Sequence, residues 1–226
     1  YVRGDDTWVI DQLDRATELG YSAFCITVDS AHYGRRERDK LSGYTPPARR
    51  TPKGARYQSQ LNWELIKKIK SKTKLPIILK GIATVEDALI SIDHEIDIIY
   101  ISNHGGRQLD FGLGTTAVLT EIINSTKEHC EIYVDGGFYR GTDILKAICL
   151  GATAIGLGRL YGYGMAADGV DGIIRVLEIL EEEIINAMAN LGVTTLSELN
   201  KDLICKSEPV VEPTAFSAFL PVKISH

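Results

Sequence analysis

Five short apolar runs, at residues 23–28, 76–79, 98–101, 132–134 and 154–157, alternate with stretches whose apolar residues fall three and four apart, at 8–19, 61–69, 85–92, 117–123 and 144–150. The first kind of run suits a buried strand, the second one face of a helix. Strand and helix taking turns in this way predict a parallel sheet with right-handed crossovers. Polar residues and glycines follow the strands closely, as at Asp29, Lys80-Gly81, Ser102 to Gly106, Asp135-Gly136-Gly137 and Gly158-Arg159. A (β/α)8 barrel gathers its active site at that end of its strands. A doubly wound sheet would need a G-x-G-x-x-G turn after its first strand, and none is present. The expected fold class is therefore α/β of the (β/α)8 TIM barrel kind, with five strands visible where closure needs eight.

Composition sets the bounds. With 44% hydrophobic residues, 24% charged and a formal net charge of −5, the chain can bury a sizeable core and has no electrostatic appetite for nucleic acid. Its locally basic stretch, Lys40 with Arg49, Arg50, Lys53 and Arg56, is mixed with Gly43, Pro46, Pro47 and Gly54, so segment 40–60 is expected as a mobile surface loop within a single domain spanning 1–226. No apolar run approaches the roughly 20 residues of a membrane span. The four cysteines, Cys25, Cys130, Cys149 and Cys205, form no C-x-x-C pair; buried reduced thiols and a cytoplasmic setting are expected. His32, His94, His129 and His226 lack metal-ligand spacing, so no metal is expected.

The run Ser102-Asn103-His104-Gly105-Gly106-Arg107-Gln108-Leu109-Asp110 carries the clearest chemistry. It sets a proton acceptor and a permanent cation three residues apart beyond a strand, which suits a small carboxylate substrate that must lose a proton. Lys80 ends an apolar strand, where an ammonium is costly unless it faces an anion or a cleft; a structural ion pair is the plainer alternative. Asp135-Gly136-Gly137, leading to Arg140-Gly141-Thr142-Asp143, and Gly158-Arg159 one strand later form two adjacent turns with backbone amides and cations, as barrel phosphate sites do, although Asp-Gly-Gly is also ordinary turn chemistry.

These motifs, with Thr27-Val28-Asp29, Gly34-Arg35-Arg36-Glu37-Arg38-Asp39 and Leu75-Pro76-Ile77-Ile78-Leu79-Lys80-Gly81, resemble the FMN-dependent 2-hydroxy acid oxidases and dehydrogenases in order and over nearly the whole chain. The resemblance implies a C-terminal fragment holding about the last five barrel strands, with an exposed edge that would leave the isolated chain unstable. It implies FMN as cofactor, with Thr27, Lys80, Ser102, Asp135, Gly136, Gly137, Tyr139, Gly158 and Arg159 at cofactor-binding positions. Tyr139 departs from the pattern, standing where many members carry arginine, and Arg140 and Arg159 remain as replacements. It implies His104 as base and Asp29 as the carboxylate that orients it, with Arg107, Arg36 and Tyr1 on the substrate. Arg36 read alone, beside Arg35 and Arg38, is equally a solvated basic cluster.

The implied reaction is oxidation of an L-2-hydroxy acid, lactate or glycolate in type, to the 2-oxo acid. The position of Tyr33 favours a small or polar substrate. Oxygen, a quinone or a soluble carrier all stay open as electron acceptor, and a homotetramer is common in the family. Two other readings stand beside this one: a non-redox FMN barrel such as a type 2 isopentenyl diphosphate isomerase, and an inactive barrel fragment. The stretch from Asp168 to Leu191 reads as a long amphipathic helix packing on the barrel.

Overall fold

The structure is a computed structural model that describes residues 1–34, 36–45, 52–109, 111–126 and 129–207. Five parallel strands, β1 (Phe24–Thr27), β2 (Ile77–Ile82), β3 (Ile98–Ile101), β4 (Glu131–Asp135) and β5 (Ala154–Gly156), lie side by side in the order in which they occur. Helices α1 (Asp6–Glu18), α4 (Trp63–Lys72), α5 (Val85–Asp93), α6 (Thr115–Thr126) and α7 (Gly141–Cys149) flank them, and α8 (Arg159–Leu191) follows. An order that never reverses is that of consecutive βα units of a (β/α)8 barrel; a doubly wound sheet would show a switch point.

The two faces of the sheet differ because side chains alternate along each strand. Ile77, Leu79, Ile99, Ile101 and Val134 are fully buried on the helix side, against Leu13, Ile69, Leu119 and Ile122. The opposite face carries Cys25, Thr27, Ile78, Lys80, Tyr100, Tyr133 and Asp135, held in step by the register Thr27–Lys80–Tyr100–Tyr133. Cys149 is buried and Cys130 half-buried, but Cys25, which points to this second face, and Cys205, beyond the last helix, are exposed; the expectation of a buried thiol is corrected at both.

Local chemistry sets where helices begin: α1 starts two residues before its apolar spacing, α4 two residues after it and α5 at the expected residue. Asp5 accepts from Trp8 N, Asn62 from Leu65 N and Thr84 from Asp87 N, the side-chain caps that satisfy first-turn amides. Segment 40–60, read as a loop, contains the end of α2 (Glu37–Leu41) and the helix α3 (Pro52–Ser59), which opens on proline; residues 46–51 lie outside the described residues. The last long helix starts at Arg159, well before Asp168, and breaks at Asp168 and Gly169, whose φ is 52°. Its second arm packs on α7 through a small separate core of Leu145, Cys149, Met188 and Leu199.

Candidate active site

A cleft of about 660 Å³ opens at the carboxyl ends of the strands, within the range of small-molecule sites. Tyr1, Arg36, Lys80, His104, Arg107, Asp135, Gly136, Gly137, Tyr139, Gly158 and Arg159 all line it. Of three further residues singled out in the sequence, Asp29 and Ser102 hold the lining residues His104 and Lys80, while the Thr27 carbonyl at the end of β1 accepts from Gln58.

The His104 turn is built under strain. His104, Gly105 and Gly106 form a single 3-10 turn, and His104 has φ of 57°, a left-handed conformation that a residue with Cβ adopts only when its surroundings impose it. What imposes it is visible at both ends of the residue. The His104 amide donates to Ser102 Oγ at 3.0 Å, and its Nδ1 lies 3.1 Å from Asp29 Oδ1. With Nδ1–H donating to the carboxylate, Nε2 is left as the acceptor; the Tyr1 hydroxyl is 3.4 Å from it. Burial, then the Asp29 charge, push the Tyr1 phenol above its ordinary value, so it stays a protonated donor.

Asp29 reaches His104 only because of Gly81. This glycine has φ of +113°, and a Cβ built on it would lie 2.6 Å from Asp29 Cβ. Gly34 acts similarly, since a Cβ there would run into the Arg107 carbonyl; its amide donates to Gln108 Oε1 at 3.1 Å, which seats the Arg36 segment against the Arg107 turn. Arg36 Nη1 is 4.0 Å from Asp39 Oδ2, while its buried Nε has no hydrogen-bond partner among the described residues. An unsatisfied buried guanidinium N–H costs free energy, and the Arg36 side chain also lines the cleft.

The cleft floor is a tight charged cluster. Lys80 Nζ donates to Asp135 Oδ2 at 2.6 Å and to Ser102 Oγ at 2.9 Å, and Ser102 Oγ donates to Asp135 Oδ1 at 2.6 Å. The Lys80 ammonium also sits 4.6 Å from the centre of the Tyr100 ring. Burial, then the Asp135 charge, raise the Tyr100 hydroxyl far above its usual range. Lys80 is thus both a half-buried ion pair and a cleft residue, so the two readings of it in the sequence coexist.

Sequence reasoning missed Gln58 and Tyr100, and it marked Gly81 without seeing that it makes room for Asp29. Gln58 is buried on α3, where it accepts from Val2 N at 2.6 Å and donates to Thr27 O at 2.8 Å, tying the segment after Tyr1 to the end of β1. No sequence signal marks it. Tyr100 was detectable, as the polar-tipped residue on the inward face of an otherwise aliphatic strand. Arg140, one of two expected replacement cations, is paired with Glu183 of α8; Arg159 lines the cleft and donates to Gly105 O at 3.1 Å.

The sequence model of the FMN-dependent dehydrogenases matches residues 1–206. The chain belongs to that family. It is 37% identical over 225 residues to the L-lactate dehydrogenase (cytochrome) of Saccharomyces cerevisiae, covering 90% of this chain and 38% of that protein. It is 37% identical over 219 residues to 2-hydroxyacid oxidase 2 of Rattus norvegicus, covering 90% of this chain and 62% of that protein. The chain thus spans between about two fifths and three fifths of the length of these curated relatives. Among solved structures, mandelate oxidase with benzoyl-formic acid superposes with a TM-score of 0.81 at 37% identity, over 89% of this chain and 60% of that one. A mandelate oxidase mutant carrying a C4a-OH-FMN adduct gives 0.77 at 39% identity, over 85% and 58%.

The residues present in this FMN-dependent dehydrogenase chain suit such a flavin. A Cβ built at Gly137 or Gly158 meets no atom within 4 Å, so both turns are bare, and Lys80 and Arg159 bring positive charge to the same cleft.

Proposed function

We propose that the protein carrying this chain oxidises an L-2-hydroxy acid of the lactate or glycolate type to the 2-oxo acid, using FMN. The observation that carries the reading is His104, held by Asp29 through Nδ1, with Nε2 left as acceptor at a cleft that Arg107, Arg36 and Lys80 also line. FMN, when bound, supplies the acceptor for the substrate's two electrons. Lys80, Thr27, Ser102, Asp135, Gly136, Gly137, Tyr139, Gly158 and Arg159 would hold it.

Arg107 and Arg36 fix the substrate carboxylate, which orients the carbon bearing the hydroxyl toward His104. His104 Nε2 then takes a proton from the substrate, and Asp29 stabilises the imidazolium that results. Tyr1 stays neutral and donates a hydrogen bond near the same point. Tyr33 in the cleft wall favours a small substrate. Oxygen, a quinone or a protein carrier would take the electrons onward; the curated relatives named here include both a cytochrome-linked dehydrogenase and an oxidase. Among the described residues no helix is long and apolar enough to cross a membrane.

The test is anaerobic mixing of the FMN-loaded His104→Gln protein with L-lactate and with glycolate. Flavin should remain bound while bleaching slows by about 10²–10⁴-fold, the range for loss of a positioned base. Bleaching at the unaltered rate would remove His104 from the reaction.

A further inference from the structure

Helices α7 and α8 each follow a turn that lines the cleft, Gly136 to Tyr139 and Gly156 to Gly158, and they are equipped in opposite ways. At α7 the leading amides are already taken by carboxylates. Asp143 Oδ2 accepts from Tyr139 N at 3.3 Å and from Arg140 N at 3.1 Å, and Glu183 Oε2 accepts from Gly141 N at 2.7 Å. The Arg140 guanidinium pairs with the same Glu183. Burial alone would raise the Glu183 carboxyl, but the Arg140 and Gly141 hydrogen bonds hold it below its ordinary value, so it is ionised at neutral pH. This helix start presents two carboxylates and has its arginine engaged, an unfavourable neighbour for an anion.

At α8 the N-cap is Gly158, which offers no side-chain cap, and Arg159 stands in the first turn against the cleft. Of the described cleft-lining residues from Gly136 to Tyr139 and from Gly156 to Gly162, Arg159 is the single cation. Tyr139, 38% exposed, occupies the wall on the α7 side without charge. Lys80 belongs to the floor, where Asp135 balances it.

Resting on the flavin reading above, we propose that the phosphate of the cofactor is gripped through Arg159 and the first turn of α8 alone, and that the uncharged Tyr139 makes this protein a weak discriminator between FMN and riboflavin. One charge-assisted contact to a phosphate is worth about tenfold in affinity, whereas paired cations would multiply that factor. Arg159 also holds the Gly105 carbonyl beside His104, so replacing it would disturb the base as well as the phosphate end. Tyr139 makes no such contact to the His104 turn and is the cleaner position to vary.

The experiment is flavin fluorescence titration of the purified protein with FMN and with riboflavin, at low and high ionic strength. The unaltered protein should prefer FMN by only about tenfold, a margin that shrinks with salt. Tyr139→Arg should tighten FMN about tenfold further while leaving riboflavin within about twofold, as an added cation–phosphate contact requires. Tyr139→Phe should leave the ratio of FMN to riboflavin affinity unchanged, because it alters no charge. A preference for FMN of about a thousandfold in the unaltered protein, or an FMN affinity indifferent to Tyr139→Arg, would overturn the inference and leave the flavin reading standing. Binding of neither flavin would overturn both.

Discussion

Within hydrogen-bond reach of the His104 ring, Asp29 decides which nitrogen is free. Its Oδ1 takes Nδ1 of His104 and also accepts from the Ser30 hydroxyl at 3.0 Å, while its buried Oδ2 has no hydrogen-bond partner among the described residues. Replacing Asp29 by Asn keeps the shape and removes the charge that, on the proposed function, stabilises the imidazolium. Asp29→Asn is expected to lower kcat/KM by about 10²–10⁴-fold with flavin affinity unchanged, checked by steady-state kinetics beside a flavin titration. Gly81 tests the same contact from behind. Gly81→Ala meets both a positive φ and the Asp29 side chain, so it should cost about 1–3 kcal/mol in urea unfolding and depress turnover together. Normal kinetics in a stably folded Gly81→Ala protein would show that Asp29 can find His104 without the close approach.

The helices matter to the site chiefly through their ends. Glu183, near the far end of α8, caps α7 by accepting from Gly141 N and pairing with Arg140, which locks the two helices where the cleft turns begin. Its carboxyl is held below the ordinary glutamate value in the folded state. A depressed folded value means stability that is fully present above the unfolded value, about 4.3, and is lost as the pH falls through the folded one. Glu183→Gln should therefore destabilise the protein at neutral pH and flatten its acid unfolding below about pH 4, read from thermal melts across that range. The motifs around His104, Asp135 and Gly158 were legible beforehand because each is a contiguous run placed at the end of an apolar strand. Gln58 and Glu183 were not. Their partners lie 31 to 56 and 42 residues away, and only the packing of α3 on β1 and of α8 on α7 brings them within reach.

Across the whole molecule, the sheet divides labour between its faces. The helix side holds the continuous aliphatic core, and the other side carries Lys80, Tyr100 and Asp135 for the cleft. Ile99→Ala, at a fully buried position on the helix side, should cost about 2–5 kcal/mol in urea unfolding, whereas Cys25→Ser on the exposed inward face should stay within about 0.5 kcal/mol. Equal losses at the two positions would contradict this division. By itself the sequence determined the alternation of strand and helix, the parallel barrel class, the strand-end location of the site and the residue types that line it, since periodicity and strand-terminal motifs are local properties. The tertiary structure alone decided that Asp29 meets Nδ1 of His104 across 75 residues, that Lys80 and Asp135 neutralise each other, and that Arg140 turns to Glu183 while Arg159 faces the cleft. Those choices depend on which way a side chain points once distant strands lie side by side in register, and no local pattern encodes that direction.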